Sequence, residues 1–241
     1  MASPRTMTSS TTAPWWGFWV YAVVSLVHVG AITLGVDALV YPTKLLLMPA
    51  LAAAAMWALQ RRRRGASSTD DGSGTAPRSA VALLLLAILF SWLGDGASFF
   101  FPMFDDELPA MLLCFGIAHL VYIWLFVRPL ARRRVPAWTL IYAVWWGVMI
   151  AVLWPHLGAL LIPVMIYGLV LGGTALASTR GGALTAAGGA FFLASDTILA
   201  FRLFLPGSSE ALAGPWIMLT YTIGQGLLAY GIVRLLRTEP S

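Results

Sequence analysis

Apolar residues fall along the chain in runs of about twenty, the length a helix needs to cross ~30 Å of hydrocarbon. Eight such runs predict transmembrane helices: Trp15 to Val36, Leu39 to Leu59, Ser79 to Phe99, Leu108 to Val127, Ala137 to Trp154, Leu157 to Ala177, Ala183 to Leu205 and Leu212 to Val233. The one candidate linker is Gly65 to Arg78, where Ser, Thr, Asp, Gly and Pro replace the apolar residues, so a flexible loop is expected over 61–78. The other connections are short, which predicts one compact bundle. The expected fold is thus an all-α integral membrane protein, with residues 15–234 as the membrane domain and polar tails at 1–14 and 235–241.

Charge fixes an orientation for this arrangement, because Lys and Arg accumulate on the cytoplasmic side. With the N-terminus inside, Arg5, Arg61 to Arg64, Arg78, Arg128, Arg132 to Arg134, Arg180, Arg234 and Arg237 share one side, thirteen of the fifteen basic residues. Lys44 and Arg202 lie inside spans near the outer end, and Asp37, Asp105, Asp106, Glu107 and Glu210 fall in or beside outer loops. A multi-pass protein of a bacterial-type plasma membrane, both termini cytoplasmic, is expected. The first apolar run is too long and too aromatic for a cleaved signal sequence, so it is expected to be retained.

Composition agrees with the pattern. Charged residues make up 10% of the chain, against about 25% in soluble domains. The net charge of +5 sits in short clusters between apolar runs rather than on one soluble face, which argues against a nucleic-acid partner and for contact with membrane lipids. Three His and one Cys, Cys114, exclude a disulfide framework and leave too few ligands for a His/Cys metal cluster. No metal or other cofactor is implied.

Polar residues inside the spans carry the candidate chemistry. An Asp at the centre of a spanning helix costs roughly 2.5 to 3.5 kcal/mol on insertion scales, so such a residue tends to have a function. Asp95, in FSWLGDGASFF, and Asp196, in FFLASDTILAFRLF, lie at similar depth on the third and seventh spans. FGIAHLVYIWLFVR, from Phe115, aligns without gaps on YTIGQGLLAYGIVR, from Tyr221, and sets His119 opposite Gln225. Each match is four spans apart, as a parallel duplication of two four-helix halves requires; chance similarity between apolar helices gives the same match. Under duplication the two carboxylates face one another across a cavity. They do not both ionise easily there, which supplies an acid and a base. Lys44 is the expected counter-charge.

Helical spacing puts Ser91, Asp95 and Ser98 on one stripe, His119 with Tyr122 on another, and Tyr221 with Gln225 on a third. Ser195 adjoins Asp196 but points about 100° away, which argues against a Ser nucleophile served by its neighbour. Each residue also has a structural reading. Asp95 sits between Gly94 and Gly96 as a helix-end cap would, and Lys44 and Arg202 suit snorkelling or anchoring at headgroups. His119, Tyr122, Tyr221 and Gln225 suit hydrogen bonds between helices. His28 and His156 look structural or superficial, and the Trp residues suit the membrane belt.

In order along the chain, TKLLLMP (from Thr43), WLGDGASFF (from Trp92), GIAHLVY (from Gly116), IPVMIYGLV (from Ile162), GGAFFLASDTILAFRLF (from Gly188) and TYTIGQ (from Thr220) resemble the YhhN family of membrane proteins, which includes lysoplasmalogenases. Leu45 stands where that family often has Pro. The resemblance implies an eight-helix hydrolase with a lysophospholipid substrate, whose vinyl ether bond is cleaved to a fatty aldehyde and a glycerophospho-alcohol. It also implies that Asp95 and Asp196 are the catalytic carboxylates; the intramembrane polar pattern itself adds Lys44, His119, Tyr122, Ser195, Tyr221 and Gln225 as expected supporting or substrate-binding residues. A small transporter or proton-coupled carrier would use the same intramembrane residues.

Overall fold

The computed structural model describes residues 14–65, 78–207 and 210–237, and among these every regular element is helical. After a short 3-10 turn the order is α1 (Trp19–Leu34), α2 (Asp37–Gly65), α3 (Arg78–Asp95), α4 (Ala97–Phe100), α5 (Leu108–Val127), α6 (Ile141–Leu157), α7 (Leu161–Ser178), α8 (Ala183–Phe204) and α9 (Glu210–Arg237). Most of the expected loop at 61–78 lies outside the described residues, but α2 itself runs on through Arg61–Arg64. The predicted span ended at Leu59 because the apolar run ends there. Apolar runs report membrane depth, and a helix is free to continue into water.

Among the described residues, seven apolar helical stretches are long enough to cross a bilayer, and one of them, Ala137–Gly181, has 45 residues. A straight helix of that size would be about 68 Å long, more than twice the hydrocarbon thickness. The stretch is broken at Gly158, whose φ of 50° is one that side chains with a Cβ disfavour, and α6 and α7 fold back to pack on each other.

Large apolar side chains on the perimeter stay exposed, among them Leu26, Leu120, Leu140 and Ile162, a surface suited to lipid rather than water. The core gathers Leu47, Met48 and Leu51 of α2, Leu84 and Ile88 of α3, Tyr122 and Phe126 of α5, Phe192 of α8 and Leu228 and Ile232 of α9. Central α9 packs against α1, α2, α3 and α8. Its crossing with α8 is a contact of backbones: a Cβ on Gly188 would lie 2.7 Å from the Leu228 nitrogen, and one on Gly224 would lie 2.7 Å from the Phe192 nitrogen.

The two ends of the bundle differ in charge. At one end the backbone amides of Arg132 and Arg133 donate to the Arg180 carbonyl, and Arg132 Nη2 reaches the Leu235 carbonyl at 3.4 Å. At the other end, where α5 begins, stand Asp105, Asp106 and Glu107.

Candidate functional site

From the acidic end a chamber of about 880 Å³ descends between α1, α2, α3, α5, α8 and α9. Asp95, Asp196, Lys44, Ser195 and Tyr221 all line it. The two carboxylates that sequence reasoning singled out, from helices about a hundred residues apart, therefore share one enclosure.

Asp95 is the last residue of α3, where the helix breaks before α4. The expected continuous span to Phe99 is thus interrupted, and Ser98 lies on the exposed far side of the break rather than on the stripe with Ser91 and Asp95. The glycines on either side of Asp95 are closely packed: a Cβ on Gly94 would fall 2.7 Å from the Phe115 ring, and one on Gly96 would fall 2.6 Å from Phe100 and 2.8 Å from Leu45. Trp92 Nε1 donates to the Leu45 carbonyl at 2.9 Å and ties this end of α3 to α2. A capping role for Asp95 does not fit. The end of a helix presents carbonyl oxygens, which a carboxylate cannot satisfy and which carry the same sign of charge. Asp95 is instead buried, and the Tyr221 hydroxyl donates to its Oδ2 at 2.8 Å.

Asp196 sits in the body of α8, its side chain 11% exposed. The Tyr167 hydroxyl of α7 donates to its Oδ2. His119 of α5 stands behind them, with Nε2 at 4.0 Å from the same oxygen and 3.5 Å from the Tyr167 hydroxyl. The His119 ring is buried edge-on against Phe192, centroids 4.6 Å apart, and its Nδ1 has no partner among the described residues. Phe192 in turn meets Tyr221 edge-on at 5.4 Å, so an aromatic wall joins the two Asp–Tyr pairs.

The remaining expected residues divide. Ser195 lines the chamber, but its hydroxyl donates to the Ile217 carbonyl at 3.0 Å, which commits its proton to the backbone. Lys44 stands on the chamber wall and forms no contact ion pair with either Asp among the described residues, but its charge acts on Asp95 from a distance. Tyr122 and Gln225 lie outside the chamber lining. The Tyr122 hydroxyl donates to Gln225 Oε1 at 2.8 Å and Gln225 Nε2 donates to Ser91 Oγ at 2.9 Å, a buried bridge between α5, α9 and α3.

Tyr167 escaped sequence reasoning. Tyr167 reads as one more aromatic in an apolar run, and only its place in IPVMIYGLV hinted at more. His28, expected to be structural, is fully buried and borders the chamber, with Nδ1 at 2.8 Å from Thr43 Oγ1. Arg202, expected as an anchor, also lines it.

Beyond Asp196 an apolar slot of about 60 Å³ runs between α5, α6, α7 and α8, bounded by Leu112, Trp145, Met149, Leu153 and Ala200. Trp145 Nε1 donates to Thr197 Oγ1 at 3.1 Å and holds α6 against α8 beside it. Leu108, Met111, Phe115 and Leu199 border both slot and chamber, so a polar space and an apolar one meet at a carboxylate. Among the described residues no three His, Cys, Asp or Glu side chains converge as a metal ion would need.

A family model for the YhhN family matches residues 39–232, from the start of α2 almost to the end of α9. No curated protein and no solved structure matches the chain.

Proposed function

The chain belongs to the YhhN family, and from that premise we propose that it is a membrane-embedded hydrolase that cleaves the vinyl ether bond of lysoplasmalogens to a fatty aldehyde and a glycerophospho-alcohol. The observation that carries the reading is the shared enclosure of Asp95 and Asp196, each oriented by a Tyr hydroxyl, at the junction of a polar chamber and an apolar slot. A lysolipid has the same division. Its headgroup suits the chamber, the first carbons beyond its vinyl ether suit the slot, which is too small for the whole chain, and the vinyl ether between them falls at the carboxylates.

The chemistry needs an acid first. A vinyl ether resists base, but a proton placed on its β-carbon gives an oxocarbenium ion that water captures. Two carboxylates in one low-dielectric space do not both carry charge easily, so one holds a proton and the other does not. The protonated Asp delivers its proton to the β-carbon. The ionised Asp stabilises the cation and takes a proton from the attacking water. The hemiacetal so formed collapses, its hydroxyl proton passing to the departing glycerol oxygen, and one water has been consumed. Each Asp ends in the other's starting state, and a proton passed between them restores the pair.

In this reading α6 and α7 are separate crossings, which makes eight, and the acidic end faces outward with both termini cytoplasmic. A division into two four-helix halves is supported by the close pairing of α3 with α5 and of α8 with α9.

The test is lysoplasmenyl-lipid hydrolysis by detergent-purified protein, comparing wild type with Asp95→Asn and Asp196→Asn. Each substitution is expected to abolish aldehyde release while the protein elutes as a folded particle. Full activity in either variant removes that residue from the mechanism. A carrier would release no aldehyde at all without a chemical step, so a silent wild type rejects the hydrolase.

A further inference from the structure

The two carboxylates do not border the same spaces. Asp196 lines the apolar slot as well as the chamber, whereas Asp95 lines the chamber alone. Their phenols divide in the same way, Tyr167 lining the slot and Tyr221 the chamber. Beyond Asp196 and Tyr167 the slot walls are hydrocarbon and aromatic rings, among them Leu112, Trp145, Met149 and Leu153. The chamber opens instead at the acidic end, past the exposed Asp106 and Glu107.

We propose that Asp196 is the acid that protonates the vinyl ether and that Asp95 is the base that activates the water. The inference rests on the hydrolase reading above and divides its two roles between two side chains.

A lysoplasmalogen has a direction in this site. Along the molecule the order is headgroup, glycerol oxygen, α-carbon, β-carbon and chain. With the headgroup in the chamber and the first chain carbons in the slot, the β-carbon is the reacting atom nearer the slot, beside Asp196. The α-carbon is the one nearer the chamber, beside Asp95. Protonation takes place at the β-carbon and water attacks the α-carbon, so the acid belongs at the slot and the base on the side from which water enters.

Hydrogen bonds and charge agree with this division. The Tyr167 hydroxyl donates to Oδ2 of Asp196, so the acid's own proton sits on Oδ1. Once that proton has moved to carbon, the same bond stabilises the carboxylate left behind. Lys44 acts on Asp95 from a distance and attracts negative charge on it. Arg202, the other cation on the chamber wall, lies six residues beyond Asp196 on α8, about 9 Å nearer the mouth, where the headgroup lies.

The proton leaves Asp196 Oδ1 for the β-carbon, the alkene π pair forms the new C–H bond, and an oxygen lone pair completes the oxocarbenium ion. Water adds its lone pair to the α-carbon as Asp95 takes one of its protons. Collapse of the hemiacetal and return of the proton from Asp95 to Asp196 complete the cycle.

The experiment removes each carboxylate and supplies azide, a nucleophile that needs no base. In Asp95→Ala the cation still forms, and azide bonds to its α-carbon to give an α-azido ether in place of the aldehyde. Consumption of lysoplasmenyl lipid by this variant, followed by mass spectrometry, is expected to rise about a hundredfold on adding azide, the lower end of what a general base contributes. In Asp196→Ala no cation forms, and azide is expected to change nothing. Rescue of Asp196→Ala, or of neither variant, overturns the assignment. If an Ala variant does not fold, the Asn pair decides it in deuterated water. Slow capture of the cation in Asp95→Asn lets it return a β-hydrogen to Asp196, so the recovered lipid is expected to carry deuterium at its β-carbon, and lipid recovered from Asp196→Asn to carry none. Deuterium in the Asp196→Asn lipid, or in neither, overturns the assignment, while an active wild type leaves the hydrolase standing. A wild type that releases no aldehyde rejects the hydrolase and the assignment together.

Discussion

The Tyr221 hydroxyl on α9 donates to Oδ2 of Asp95 at the end of α3, at 2.8 Å. Tyr167 on α7 makes the same bond to Oδ2 of Asp196 on α8. Each carboxylate is therefore aimed by a phenol from a different helix, with Oδ1 left without a protein partner among the described residues. That arrangement is suited to a group that must exchange a proton with a ligand while it keeps a fixed orientation.

Removing either phenol should cost chemistry more than binding. A hydrogen bond to a charged group is worth about 1.5–3 kcal/mol, so Tyr221→Phe and Tyr167→Phe are each expected to lower kcat by roughly 10- to 150-fold with KM nearly unchanged. Steady-state kinetics on the lysoplasmenyl substrate check this. A loss carried wholly by KM would make these tyrosines part of the substrate seat instead of holders of the carboxylates.

How much of this was legible in the sequence depended on the kind of information. The predicted run Leu108 to Val127 coincides with α5, because solvent changes abruptly at both of its ends and composition records it. The helix end at Asp95 was offered by Gly94 and Gly96 only as one reading, since the apolar run continues past it, and the packing of Phe115 and Leu45 against those glycines comes from other helices. Asp95 and Asp196 were found because a carboxylate in hydrocarbon is costly wherever it points. Tyr167 was missed because a Tyr costs little there, and its role exists only through the neighbouring helix. The Tyr122 to Gln225 bond likewise joins residues that periodicity had assigned to separate stripes.

That bond gives a second prediction. Tyr122→Phe leaves Gln225 Oε1 buried without a donor, at a cost of about 1–3 kcal/mol. The variant is expected to unfold about 2–12 °C below wild type in detergent, measured by nanoscale fluorimetry. Gln225→Leu should lower it further, because Ser91 also loses its partner. An unchanged midpoint in both would mean that the bridge contributes nothing to stability and that its residues serve something else.

The crossing of α8 and α9 should tolerate almost no added bulk. A Cβ at position 188 would meet the Leu228 nitrogen at 2.7 Å and the Gly224 oxygen at 3.0 Å, both main-chain atoms that cannot swing aside. Gly188→Ala is therefore expected to part the two helices, lowering both expression and thermal midpoint. Asp196 rides on α8 and Tyr221 on α9, so the surviving protein should also lose activity. Gly30, whose Cβ would meet nothing within 4 Å, provides the control: Gly30→Ala should behave like wild type in both assays.

The apolar slot makes a prediction about the hydrocarbon chain. Ala200 borders it on α8, across from Met149 and Leu153 of α6, and its methyl leaves space that a ring would fill. Ala200→Phe is expected to exclude the distal part of a long alkenyl chain. Losing the burial of two methylenes, about 0.8 kcal/mol each, raises KM roughly tenfold. A short-chain substrate, a propenyl lysolipid, ends before Ala200, one helical turn or about 6 Å from Asp196, and should keep its kcat/KM within about twofold. General destabilisation would lower both substrates together, so the ratio of long- to short-chain kcat/KM isolates the slot. If the ratio does not move, the chain leaves the carboxylates by another path, the more exposed side of the chamber toward lipid, and the slot is packing space alone.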